Sequence, residues 1–146
     1  MNAQTKIDYP AFETLTQTVA AYRTGRLISI EQFNQFSSEG NTLILDTRSK
    51  AAYDAIHLLG AVHLNFSDFS ATALAAVIPD KNTRILIYCN NNFESELSSM
   101  ILKSTPLALN IPTFINLYGY GYKNVYELRD YLSITDPRLI FVINGQ

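Results

Sequence analysis

Apolar residues recur along this chain in short runs separated by polar, glycine-marked or proline-marked breaks, and the spacing inside each run predicts its element. Phe12, Leu15, Val19 and Tyr22 fall three or four residues apart, with Pro10 at a first-turn position and Gly25 as a stop, which predicts a helix over 9–25. Leu27 and Ile28 make a short strand, and Ser29, Ile30, Glu31 and Gln32 read as a capping box opening a helix that ends near Gly40. The run from Thr42 to Asp46 predicts a buried strand, Ser49 to Ile56 a short helix and Ala61 to Leu64 another strand. A helix from Ser70 to Ile78 is stopped by Pro79, and Asp80, Lys81 and Asn82 turn into the apolar run from Arg84 to Cys89. Beyond that run the pattern predicts a helix from Ser95 to about Lys103 or Ser104, ended ahead of Pro106. A last strand is expected at Phe114 to Leu117, a break at Gly119 and Gly121, and a helix over Asn124 to Tyr131. The tail from Asp136 to Ile143 is apolar and β-prone, and is expected to pack on the body or on a partner.

Short strands alternating with helices predict an α/β domain with a mostly parallel sheet. With 146 residues, 47% of them apolar and 16% charged, the chain has enough apolar surface for one folded domain spanning 1–146. A net charge of −2 without a polybasic cluster supplies no face for nucleic acid or for an anionic membrane. No apolar run reaches the roughly 18 residues that would cross a bilayer. The N-terminal stretch from Met1 to Lys6 lacks the apolar core of a signal peptide, and one cysteine excludes an internal disulfide, so a cytoplasmic location is expected. His57 and His63 stand six residues apart with no further His or Cys to join them. They are read as structural, and neither a metal nor a cofactor is expected.

The single cysteine, Cys89, closes a buried apolar run and precedes Asn90, Asn91 and Asn92, which favour turns and tolerate left-handed backbone. A thiol between a strand end and a helix start would face backbone N–H groups and the positive end of a helix dipole, which stabilise a thiolate. Asn90, Asn91, Asn92, Phe93, Glu94 and Ser95 are the expected cradle, through their amides more than their side chains. The plain alternative is a buried small hydrophobe at a strand end. Phe93 is either a core plug or an exposed partner contact, and Tyr118, Tyr120 and Tyr122 either rim a pocket or cover the core edge.

Three segments in order resemble the rhodanese-like family of sulfurtransferases. Asp46, Thr47 and Arg48, followed by Tyr53 and by His57 to Asn65, are similar to its D-x-R and G-H-I-P-G-A elements, with Ile56, Leu59 and Asn65 departing from the usual Gly, Pro and Pro. The strand, Cys89 and loop form the second segment, and Asn116 to Tyr122 resembles the L-x-G-G element, with Tyr120 replacing the second Gly. The resemblance covers residues 28–131, leaving an N-terminal helix and a C-terminal extension. It implies a three-layer α/β/α fold around a mostly parallel sheet of about five strands. It also implies that Cys89 takes a sulfane sulfur from a donor such as thiosulfate as a persulfide and passes it to cyanide or a thiol acceptor, on a small molecule or a partner protein, in a covalent double displacement.

Active members of that family carry cations in the six-residue loop; here Cys89 to Glu94 keeps the length without them. No Lys or Arg lies between Ile85 and Leu102, while Glu94 and Glu96 are acidic. A carboxylate about 8 Å away costs a thiolate on the order of 0.5–2 kcal/mol, which a helix terminus can offset. Doubly charged thiosulfate fares worse, so weak turnover with it is expected. Asp46 and Arg48 read as a structural pair, and Arg48 is the nearest candidate to replace the missing cations. Cysteine-dependent phosphate chemistry needs Arg six positions after the thiol, where Ser95 stands, and arsenate reduction lacks a second cysteine. Beside the sulfur carrier stand two other readings, an inactive interaction module and a redox sensor using an external thiol.

Overall fold

In the computed structural model, which describes residues 4–144, short polar side chains cap four of the helices. Asp8 accepts from the Ala11 N–H at the head of α1 (Tyr9–Arg23), and Ser29 from Gln32 at the head of α2 (Ile30–Ser37). Ser49 caps α3 (Lys50–Ala55) and Ser70 caps α4 (Ala71–Val77) in the same way. The fifth, α5 (Asn110–Gly119), has no side-chain cap, so its first N–H groups are left for another partner.

The strands are β1 (Leu27–Ile28), β2 (Thr42–Asp46), β3 (Ile56–Leu58), β4 (Val62–His63), β5 (Arg84–Tyr88), β6 (Phe93–Glu94), β7 (Val125–Leu128), β8 (Leu132–Ser133) and β9 (Phe141–Ile143). Five form one sheet in the order β1-β7-β5-β2-β4, every neighbouring pair parallel. Parallel sheets need cover on both faces. On one face Val19, Leu74, Phe114 and Leu117 from α1, α4 and α5 pack on Leu45, Ile85, Ile87 and Val125. On the other, Ile30 and Phe33 of α2 pack with Ile44, Leu86, Tyr88, Leu128 and Phe93. The mostly parallel α/β architecture expected from the chain is the one found.

The C-terminal tail packs on the body: β9 pairs antiparallel with β3, and the Leu59 N–H donates to the Ile140 carbonyl. Arg138 fixes this strap by bonding Asp136 and, on α2, Glu31.

Three expectations are corrected. Residues 95–104 form no α-helix; they run as irregular chain with a 3-10 turn at Ser98–Met100. Only Met100 reaches the core, Leu97, Ile101 and Leu102 remain exposed, and side chains of Asn90 and Asn91 bond the backbone at Ile101 and Lys103 instead. Phe114 to Leu117 is not a strand but the interior of α5, because Asn110, Thr113, Phe114 and Leu117 bury one helical face. Residues 124–131 are not a helix; they hold β7, whose Val125, Glu127 and Leu128 are buried so that both sides of the strand are covered. Proline at position 112 lies in the first turn of α5, where its missing N–H costs nothing.

Candidate active site

β2 and β5 end side by side, with Asp46 in register with Tyr88. The chain leaves β2 toward β4 on one side and returns through β5 on the other, and such a reversal opens a crevice beyond the carboxyl ends of the strands. Cys89 follows β5 directly and lies in that crevice, only 1% exposed. It lines a cavity of about 230 Å³ together with Arg48, Ser49, Ala52, Asn90, Asn91, Lys103 and Leu109.

Alternation along β5 puts Cys89 on the same face as Ile85 and Ile87, the face covered by α5. The uncapped start of α5 therefore meets the sulfur. Burial pushes the Cys89 thiol above its ordinary range; backbone N–H groups of Asn110, Asn91 and Leu109 bond the sulfur and pull the other way. The expected amide cradle over residues 90–95 is thus corrected in its membership. Asn91 belongs to it, whereas the other two donors come from the head of α5, not from a helix at Ser95.

The three asparagines do separate work. Asn92, buried, accepts from the Cys89 N–H at 3.0 Å and from Asn110 Nδ2 at 3.0 Å. Its own Nδ2 donates to the carbonyls of Leu128 and Asp130, both at 2.9 Å. Asn91 holds Lys103 reciprocally, donating to its carbonyl at 2.9 Å and accepting its N–H at 3.0 Å. Asn90 accepts from Arg48 Nη1 at 3.2 Å and donates to the Ile101 carbonyl at 3.2 Å.

Phe93 is a core plug, fully buried between Tyr88 and Phe141. Glu94 is exposed on β6, and Ser95 accepts from the Leu97 N–H; neither lines the cavity. The carboxylate that does press on Cys89 is Glu127 of β7, 4% exposed and bonded bidentately by Arg23 at 2.7 and 2.6 Å. Period alone missed it, because a buried charge in a strand carries no apolar signal.

Asp46 and Arg48 form the expected pair, both buried. Arg48 Nη2 meets Asp46 Oδ2 at 2.7 Å, its Nε reaches both carboxylate oxygens, and its Nη2 also donates to the Ile56 carbonyl. Tyr88 Oη donates to the same carboxylate. Arg48 thus edges the cavity with its charge already answered. His63 Nε2 bonds the Arg48 carbonyl at 2.7 Å, His57 Nδ1 bonds the Tyr53 carbonyl at 2.8 Å, and the Tyr53 ring stacks on His57 at 3.9 Å. No group of His, Cys, Asp and Glu among the described residues has the arrangement of a metal site. Tyr122 is buried, with Oη bonding the Ile78 carbonyl, and none of Tyr118, Tyr120 and Tyr122 lines the cavity. No helix among the described residues is long and apolar enough to cross a membrane.

The tRNA uridine(34) hydroxylases of Legionella pneumophila strains Paris and Corby are 25% and 24% identical over 113 residues. The match takes in 75% of this chain but 39% of each relative, so the chain spans about two-fifths of their length. Among solved structures, the Rhodanese_3 like domain from Anabaena sp. superposes with a TM-score of 0.51 at 16% identity, covering 72% of this chain and 95% of that one. A Bacillus halodurans protein superposes with a TM-score of 0.50 at 13% identity, covering 82% and 73%. The profile of the family described as Rhodanese-like domain matches residues 29–130, from the cap of α2 to the end of β7 and beyond, and the chain belongs to that family.

Proposed function

We propose that the chain is a sulfur carrier or sulfurtransferase in which Cys89 takes up a sulfane sulfur as a persulfide. One observation carries this reading: Cys89 follows β5 at the carboxyl ends of the strands and opens to a cavity whose lining includes Leu109 at the uncapped head of α5. Backbone N–H groups of Asn110, Asn91 and Leu109 lower the thiol against its burial, which favours negative charge where a thiolate or persulfide anion would hold it. Burial keeps the resting group a protonated thiol at neutral pH. With a donor R–S–SH, the Cys89 sulfur bonds the terminal sulfur and the R–S to sulfur bond breaks. The electron pair leaves on R–S, which takes the Cys89 proton and departs as R–SH. An acceptor thiol reverses the sequence and restores Cys89, so no net oxidation occurs.

Thiosulfate is a poor donor in this reading, because the guanidinium beside the cavity is neutralised by Asp46. The donor is a persulfide and the acceptor a thiol, each on a small molecule or on a partner protein. The relatives' activity, hydroxylation of a tRNA uridine, belongs to proteins of which this chain spans 39%, and a net charge of −2 does not favour RNA as its partner. The burial of Cys89 favours a second reading, an interaction module whose thiol does not turn over. Mass spectrometry after incubation with a persulfide donor separates the two: a thiol-reversible adduct at Cys89 supports the carrier, and an unmodified Cys89 supports the module.

A further inference from the structure

Lys103 lines the Cys89 cavity although it stands fourteen positions beyond the cysteine, outside the six-residue loop in which active members of the family carry cations. Its place is built. The side chain of Asn91, two positions beyond Cys89 in its loop, grips the Lys103 backbone through both its N–H and its carbonyl. Asn90 adds a second tie to Ile101, and is itself braced by Arg48. The segment carrying Lys103 is therefore an extension of the cysteine loop.

Charge singles this residue out. Two of the residues lining the cavity are cationic, Arg48 and Lys103. Arg48 is 4% exposed and spent on Asp46; Lys103 is exposed and forms no ion pair among the described residues. No carboxylate lines the cavity. Lys103 is thus the one cavity-lining residue whose charge has no carboxylate partner among the described residues.

We infer that Lys103 is a specificity-determining residue that selects small organic persulfides carrying a single carboxylate, pairing with that carboxylate while the sulfane sulfur faces Cys89. The inference rests on the sulfur-carrier reading. One cation complements one carboxylate, and it falls short of a dianion such as thiosulfate.

The test uses two donors that differ only in charge, N-acetylcysteine persulfide and the persulfide of its amide, with the rate of adduct formation at Cys89 read by mass spectrometry. Lys103→Ala should slow the carboxylate donor about threefold and Lys103→Glu about tenfold, the scale of an exposed ion pair lost or reversed, with the amide donor unchanged. Lys103→Arg should restore the preference. Lys103 is exposed, so these variants leave the core intact. Equal slowing of both donors, or none, would overturn the assignment of Lys103 and leave the carrier reading standing. No adduct on the unsubstituted chain with either donor would overturn the carrier reading itself.

Discussion

Asn92 shows how much one amide can fix. Its oxygen accepts from Cys89 and Asn110, and its nitrogen donates to Leu128 and Asp130, so one buried group joins the cysteine loop, α5 and the end of β7. Asn92→Ala leaves several buried partners unsatisfied and should cost about 2–4 kcal/mol, read as a lower urea midpoint at unchanged slope. Asn92→Asp should not rescue it, because a carboxylate cannot donate to two carbonyls. In the sequence the asparagine triplet reads as a turn, since the carbonyls that Asn92 Nδ2 bonds lie 36 and 38 positions away. At Cys89 itself the sign is set by burial, which raises the thiol, over the three N–H donors, which lower it. Thiolate accumulates only as pH rises through that raised value. Iodoacetamide labelling should therefore be slower than for a free cysteine at neutral pH and climb into the alkaline range, followed by mass spectrometry across pH. Faster labelling than free cysteine at neutral pH would mean that the donors outweigh burial.

Elements with a one-sided apolar face or a local cap were legible: α1, α2, α3, α4, β2 and β5 all lie where spacing and capping residues place them. The misreadings cluster after Cys89, where tertiary ties override local preference. Four β-prone residues hid α5, yet its buried positions 110, 113, 114 and 117 carry helical spacing over a longer window. That helix matters most to the site, since its uncapped start faces the sulfur. The C-terminal strap is an element of another kind, held to α2 by Arg138 between Asp136 and Glu31. Side-chain and backbone bonds from Arg138 hold the Asp136 carboxyl down to about 2. A carboxyl lowered in the folded state contributes stability above its ordinary value and loses it as pH falls through the lowered one. Hydrogen exchange at the Leu59 and Asn144 amides, which bond the Ile140 and Ala55 carbonyls, should stay slow under mild acid and speed up only toward pH 2. Arg138→Ala should speed both amides near neutral pH while leaving those of β5 protected.

For the molecule as a whole, five parallel strands covered on both faces put the cysteine where the topology reverses direction, with one helix aimed at it and a cavity in front. The architecture follows from alternating short strands and helices, which is why the fold class was legible while the cavity was not. Its lining draws on β2's end, α3, the cysteine loop, residue 103 and the head of α5, a set that no single stretch of sequence brings together. The charge balance changes in consequence: Glu94 and Glu96 stay out of the cavity, Glu127 acts on the thiol from β7, and Lys103 enters. What remains is whether sulfur is held there. Incubating the intact chain with N-acetylcysteine persulfide and mapping its peptides by mass spectrometry asks this directly. The predicted result is a gain of about 32 Da confined to Cys89, removed by excess thiol, as expected of a protein persulfide. An unmodified Cys89 in folded protein, across neutral and alkaline pH, would contradict it.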